Sequence, residues 1–435
     1  SERKGNSSTA GAAFNILCTV LGTGLLQLPY GVQQSGWLGV PLLTIMGLAA
    51  GYTANAMGKC FSILEARRFS LGSAAGLETL LDSPSTAQLS YGDLGFATFG
   101  RFGRNLVNVQ MHVTLIMVAT IYHLLAALNV HWLANLSLPV SALIVAGVVW
   151  LHVFLKTLGE VAILSYVNFT INCTLLAVVI IETLSHPPTI TINGTTTNVD
   201  EDQQLIVNDI MSVGGAFASF GFAYGCHPIL PDVRGSMLRP EQYSPMIVFC
   251  FGVALALYVP FVTIAYATYG VGIESPIYET SYITCLPVMR AIKAVTIFPM
   301  IFTYPLVLTP PEGALERALD VDSRAAPRLW RIGLRSLFVV FTTGATILVR
   351  SKENFGPLVD LVSSCTSTFT VYLLPCAFHL KLRGIGGPHG IGKLELAANV
   401  AVIALASIGA IFGTVQALEQ LASLGTSNST DAQAC

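Results

Sequence analysis

The fold class this sequence predicts is an all-α polytopic membrane protein with eleven transmembrane helices. They form a five-plus-five inverted repeat with broken helices 1 and 6, plus one extra C-terminal helix. Three observations predict it. Of the 435 residues 53% are hydrophobic and only 11% charged, against a charged share of about a quarter in soluble domains. Eleven uncharged runs, near 11–30, 38–58, 105–128, 138–155, 161–181, 210–231, 246–270, 294–311, 332–349, 361–380 and 397–418, are long enough to cross a hydrocarbon core of about 30 Å. The lysines and arginines also sort to one side. With the N-terminus inside, 18 fall in inner segments and 4 outside (Arg290, Lys293, Arg350 and Lys352), which accounts for all 22. That bias places the N-terminus in the cytosol.

The first run ends in Gly22-Thr23-Gly24-Leu25-Leu26-Gln27-Leu28-Pro29-Tyr30. Two glycines around a threonine weaken the helical ladder, and Pro29 withdraws the donor that would have satisfied the Leu25 carbonyl. Non-helical backbone at membrane depth persists only where protein buries it or where it lines a wet cavity, so this break marks a candidate transport site. A harmless proline kink is the alternative. The sixth run carries a second interruption, Gly214 to Pro228, containing Phe220-Gly221-Phe222-Ala223-Tyr224-Gly225-Cys226-His227-Pro228. Two matched breaks favour function over accident.

Chain organisation follows from these runs. Residues 1–10 read as a cytosolic tail, 11–185 as the first repeat, 186–209 as an outer loop, 210–383 as the second repeat, 394–420 as the eleventh helix and 421–435 as an outer tail. An odd number of helices per half forces the second half to enter from the opposite face, which is the parity of an inverted repeat. The ninth run is the weakest, because Arg335 sits in it near an end from which it can snorkel. The Ser/Gly/Leu stretch from Phe69 to Ser90 reads as an inner loop, and the sequons at Asn193 and Asn428 fall outside. The chain has no initiator methionine and reads as trimmed or partial.

Other function classes find no support. The net charge of −2 says nothing about nucleic acid, no basic block rises above ordinary loop charge, and no nucleic-acid partner is expected. The nine cysteines are scattered, with no CxxC pair, which suggests neither a disulfide framework nor a metal cluster. No P-loop, GxSxG elbow or HExxH motif is present, so no enzyme is indicated. No ring of charge or carbonyl-filter sequence suggests a channel.

NILCTVLGTGLLQLPYGVQQSGWLG resembles the first helix of the amino acid/auxin permeases, within the amino acid/polyamine/organocation superfamily. GFAYGCHPILPDVRGSMLRP resembles that family's sixth helix, SYGDLGFATFG the segment before its third, TYPLVLTPPEGALE its eighth and FTVYLLPCAFHLKL its tenth. FAYGCHP is similar to the FAFxCHP form of the neutral amino acid transporters. The resemblance runs from about residue 10 to 383 and implies secondary active transport, a symport of amino acids with a cation. The coupling cation is proton or sodium, and no other cofactor is implied. Sodium-coupled relatives tend to carry asparagine where this chain has Cys18, and a thiol suits a hard cation poorly. The proton-assisted branch usually has histidine where this chain has Asn15. The two departures pull in opposite directions, with a lean to protons.

The candidate substrate-binding residues are Gly22, Thr23, Gly24 and Leu25 on the first break and Phe220, Phe222, Ala223 and Tyr224 on the second. A substrate carboxylate needs donors, and a half-helix end with a hydroxyl supplies them. Threonine at such a point can equally back-bond within its helix, and aromatic residues can equally be packing or interface anchors. The candidates for the coupling ion are Asn15, Cys18, His227 and Thr303. His227 has an imidazole able to titrate near neutrality, though it can simply satisfy a carbonyl freed by Pro228. Thr303 offers a hydroxyl beside the Ile301 carbonyl that Pro305 frees. The partners are therefore an amino acid and the lipid bilayer, with the plasma membrane or a vacuolar or endolysosomal membrane as location. An amino acid sensor using the same pocket is the alternative, weakened by inner loops of modest size.

Overall fold

A computed structural model describes residues 7–70, 89–154, 161–187, 189–192, 195–198, 204, 210–284, 286–349, 352–384 and 390–426. Arg3, Lys4, Lys156, Arg350, both sequon asparagines and most of the Phe69 to Ser90 loop lie outside them. Among the described residues eight helical stretches are long and apolar enough to cross a membrane, and Leu138–Phe154 is a shorter apolar helix. The first stretch, Thr9–Arg67, runs through the first break and the turn after it, so two sequence runs fall within it.

Helix α1 (Thr9–Val20) starts at Ser8, whose Oγ accepts the Gly11 N–H at 3.1 Å, a side-chain cap for an otherwise orphaned donor. It stops at Gly22, which is extended (φ −87°, ψ −156°), and a 3-10 turn over Thr23–Gln27 leads into α2 (Leu28–Ser35). Helix α3 (Gly39–Ser70) follows. Pro29 stands in the first turn of α2, where a helix has no use for its missing donor. The Leu25 carbonyl is therefore not left free. The tightened turn gives it the Leu28 N–H instead.

Helix α4 (Tyr91–Ala134) bends at Phe99 and Gly100, where φ of +62° at Gly100 needs glycine. Its start is a capping box between Ser90 and Asp93. After α5 (Leu138–Trp150) and α6 (Val161–Ser185), the following connection holds an antiparallel pair, β1 (Thr189–Ile192) with β2 (Thr195–Asn198). Thr189-Ile190-Thr191-Ile192 and the three threonines 195–197 are β-branched and suited to strands.

The second break repeats the first. Helix α7 (Ile210–Ala223) gives way to a turn, a 3-10 segment at His227–Ile229 and the short α8 (Leu230–Ser236), with Pro231 in its first turn. The Cys226 N–H donates to the Tyr224 carbonyl at 2.8 Å, so this carbonyl too is satisfied despite Pro228. Next come α9 (Tyr243–Tyr269), α10 (Pro287–Ala318, with four internal prolines), α11 (Pro327–Leu348) and α12 (Phe355–Val362). Two π-helical turns, Ser363–Ser367 and Phe369–Leu373, join α12 to α13 (Leu374–Arg383). Helix α14 (Lys393–Thr426) closes the chain.

Packing brings the breaks together. A Cβ on Gly24 would lie 2.7 Å from the Ala223 Cα, so the two interrupted backbones touch. Helix α14 lies along α7, where a Cβ on Gly214 would meet the Gly413 nitrogen at 2.5 Å. Val400, Ile408, Ile411 and Leu418 form one helical face of α14 and are all more than half exposed, as a lipid-facing stripe should be. Lys293, counted among the outer loop charges, is instead fully buried in α10. Its Nζ meets Glu279 Oε1 at 2.8 Å and Thr284 Oγ1 at 2.9 Å.

Candidate functional site

A cavity of about 570 Å³ reaches from the two breaks along α1 as far as Asn15. Helix α1 gives it Asn15, Cys18, Thr19 and Gly22, whose spacing of three, one and three residues puts them on one face. Gly24, Phe222, Ala223 and Gly225 from the breaks form its far end. Helix α10 supplies Phe298, Phe302 and Thr303, α4 supplies Met111 and Thr114, and α6 supplies Asn168. Ser367 and Thr370, at the π-turns, complete the wall, and π-turns frequently mark functional positions.

Seven of the expected residues thus share one wall: Asn15, Cys18, Gly22, Gly24, Phe222, Ala223 and Thr303. Thr23 lies in the 3-10 turn between them, and its side chain is outside the described residues. Four stand elsewhere. Leu25 is 1% exposed within the apolar core. Phe220 lies against α2, where a Cβ on Gly31 would sit 2.6 Å from its ring. Tyr224 turns toward α3 and donates to the Leu43 carbonyl at 3.3 Å. His227 is buried with its Nε2 3.0 Å from Thr53 Oγ1. The Thr53 hydroxyl spends its hydrogen on the Ala50 carbonyl at 3.0 Å, so it accepts from His227, which fixes the proton on Nε2. That arrangement ties the second break to α3. These four face away because each half-helix turns one side to the cavity and the other to its neighbours.

The wall is amphipathic. Thr19, Thr114 and Thr370 each donate to a carbonyl of their own helix, at 3.0, 2.7 and 3.2 Å, which leaves their lone pairs for a donor such as an ammonium. The Asn168 Oδ1 accepts from Asn172 at 3.0 Å, leaving the Asn168 amide hydrogens as donors. Aromatic rings share the lining, with Phe298 and Phe302 4.3 Å apart between centroids. Of the described residues lining the cavity, Asp232 of α8 is the one with a formal charge. Among the described residues no three of His, Cys, Asp and Glu are placed to hold a metal ion.

A second polar cluster escaped the sequence reading. Asp360, 1% exposed in α12, accepts from Ser219 Oγ of α7 at 2.5 Å, from Gln34 Nε2 of α2 at 2.9 Å and from Gln27 Nε2 at 3.4 Å. Ser275 in turn donates to Gln27 Oε1. A search for uncharged runs began the tenth helix at 361 and so excluded the residue that matters in it. An aspartate directly abutting a long apolar run was the available signal.

The model for a transmembrane amino acid transporter protein matches residues 5–419. The amino acid transporter AVT1D of Arabidopsis thaliana is 24% identical, covering 94% of this chain and 68% of its own. AVT1I from the same plant is 26% identical, with 87% of each covered. Among solved structures, the inward-facing conformation of Mhp1 matches with a TM-score of 0.51 at 11% identity, over 97% of this chain and 92% of that one, a likeness of fold alone. A multi-pass helical chain built around two abutting broken helices, matched by one family model nearly from end to end, belongs to the transmembrane amino acid transporter family.

Proposed function

We propose that the protein is a proton-driven secondary transporter of neutral amino acids with apolar side chains, working by alternating access around the two breaks. One observation carries this reading: a cavity that ends where both breaks meet is lined by hydroxyl and amide groups together with aromatic rings. An α-amino acid has the matching form, a zwitterionic head and an apolar tail. At about 570 Å³ the cavity lies within the usual range for small-ligand sites.

In this reading the chain crosses the membrane eleven times, as two five-helix repeats of opposite orientation and a final helix. The N-terminus lies in the cytosol, as the charge sorting requires. The backbone and hydroxyl at Thr23 hold the substrate carboxylate, and the Thr19, Thr114 and Thr370 oxygens receive its ammonium. Protons are favoured over sodium because Cys18 occupies the wall where an oxygen ligand would serve sodium. The Leu25 carbonyl, a sodium-ligand candidate, already accepts an N–H.

The deciding experiment is uptake of labelled neutral amino acids into proteoliposomes under separately imposed proton and sodium gradients. Accumulation on a pH gradient with choline replacing sodium is expected. A strict sodium requirement would overturn the driving force. Specific binding without uptake under either gradient would overturn transport itself and favour a sensor.

A further inference from the structure

We propose that Asp360 is the proton-binding group of the transport cycle, and that its ionised form latches the bundle shut at the face opposite the cavity. The inference rests on the proton-driven reading above. Of the two broken helices, α1, α8 and the residues at the breaks line the cavity, while the partner halves, α2 and the start of α7, are not among its lining residues. Something must hold those halves together, and Asp360 sits among them. Its carboxylate joins α12 to α2, to the 3-10 turn of the first break and to α7 through the three donors described above. Gln27, Gln34 and Ser219 are 1%, 5% and 0% exposed, so water does not compete for these bonds.

The donors are all neutral. No ion pair to Asp360 exists among the described residues. Helix α7 carries no titratable side chain over Ile210–Ala223. Helix α2 brings the Tyr30 phenol, whose ring lies against Gly356. Glu419 on α14 points outward and is exposed. From α4, His123 and His131 are engaged with the Ala142 and Leu136 carbonyls. The nearby charges Glu274 and Glu279 are paired with Lys352 and Lys293. A buried carboxylate without a counter-cation is held by hydrogen bonds alone, and a buried group of this kind is normally functional.

Protonation takes one H⁺ from water and converts an acceptor oxygen into an O–H donor. The neutral acid can still accept through its remaining lone pairs, but all three bonds lose their charge assistance, which roughly halves the strength of each. The proton therefore loosens the latch and favours opening of this face, where the carboxyl can exchange its proton with the solution. Coupling follows, because the group that senses the proton is the one that holds the gate.

The test is Asp360→Asn in proteoliposomes, reading pH-driven accumulation and amino acid counterflow side by side. Counterflow should persist while accumulation on a pH gradient falls at least tenfold. Accumulation at the wild-type level in the variant would overturn the assignment while leaving proton-driven transport intact, and absence of pH-driven accumulation in the wild type would overturn the underlying reading. If the variant loses both activities, Ser219→Ala decides. It removes one donor to the charged form, so the midpoint of the uptake profile should move to higher pH by about one to two units. A midpoint that stays in place would overturn the proposal.

Discussion

Replacing Gly24 with alanine puts a methyl group where the two breaks meet. The new Cβ would lie 2.7 Å from the Ala223 Cα and 3.2 Å from both its Cβ and its nitrogen. Carbon atoms pack at about 3.5 to 4.0 Å, so the shortest approach falls short by roughly 1 Å. The obstacle is backbone, which cannot swing aside as a flexible side chain does. Overpacking of this kind costs about 1 to 3 kcal/mol, or roughly a five- to hundredfold loss of the state in which the breaks touch. Maximal uptake by Gly24→Ala should fall by that factor in proteoliposomes holding equal amounts of folded protein. Gly147→Ala is the control, because a Cβ there meets nothing within 4 Å. Equal uptake kinetics and equal thermal stability for Gly24→Ala and the wild type would refute the contact between the breaks.

The buried pair of Lys293 and Glu279 should behave as a unit: Lys293→Met or Glu279→Gln alone should lose about 3 to 5 kcal/mol, and the double substitution Lys293→Met with Glu279→Leu should recover most of it, measured by unfolding in detergent. Additive losses would show that the two charges do not depend on each other. Phe222→Ala should widen the apolar side of the cavity and shift competition for uptake toward bulkier side chains, and an unaltered order of preference would remove Phe222 from the substrate wall. His227→Gln retains a donor toward Thr53 and should keep pH-driven accumulation. Loss of accumulation with counterflow intact would give His227 a coupling role after all.

The breaks were legible in the sequence because their causes are local. Glycines flanking one residue, as at Gly22 and Gly24, and a proline soon after glycine, as at Pro228 after Gly225, weaken a helix by themselves, whereas the adjacent Gly214 and Gly215 stay inside α7. The orientation of each half-helix was not legible, because neighbours set it. Phe220 and Phe222 are two residues apart, so they project from different sides of α7, and only packing against α2 decides which of them meets the cavity. The carbonyls assigned to prolines were misjudged for a similar reason. Proline removes a donor, yet a 3-10 turn supplies another one residue nearer, as Leu28 does for Leu25. Asp360 and Lys293 were lost to a criterion that equates a membrane helix with the absence of charge. Both lie inside helices, one satisfied by neutral donors and the other by an ion pair. The strand pair over 189–198 was readable from its run of β-branched residues and was passed over as polar loop.

On the transport reading, the composition of each seam indicates whether it moves. Where α7 meets α14, glycine backbones touch, the Phe217 ring covers Gly409, and the Gly215 N–H donates to Gln416 Oε1 at 2.7 Å, a close contact with few polar groups in it. Separating it would expose apolar surface with no return, so it suits a joint that travels as one piece. Where α7 and α2 meet α12 the contact is amide, hydroxyl and carboxylate. Each of those groups exchanges a protein partner for water at a net difference of only about 0.5 to 1.5 kcal/mol, more for the charged one. A gate must be stable when shut and cheap to hydrate when open, and polar groups meet both conditions where apolar ones meet only the first. The two breaks fit the same logic. Leu28-Pro29 and Leu230-Pro231 each begin a short helix with proline in the first turn, so each half-helix ends and restarts without an unsatisfied donor at the proline. A hinge built in this way can be kept at both breaks without a standing loss of stability.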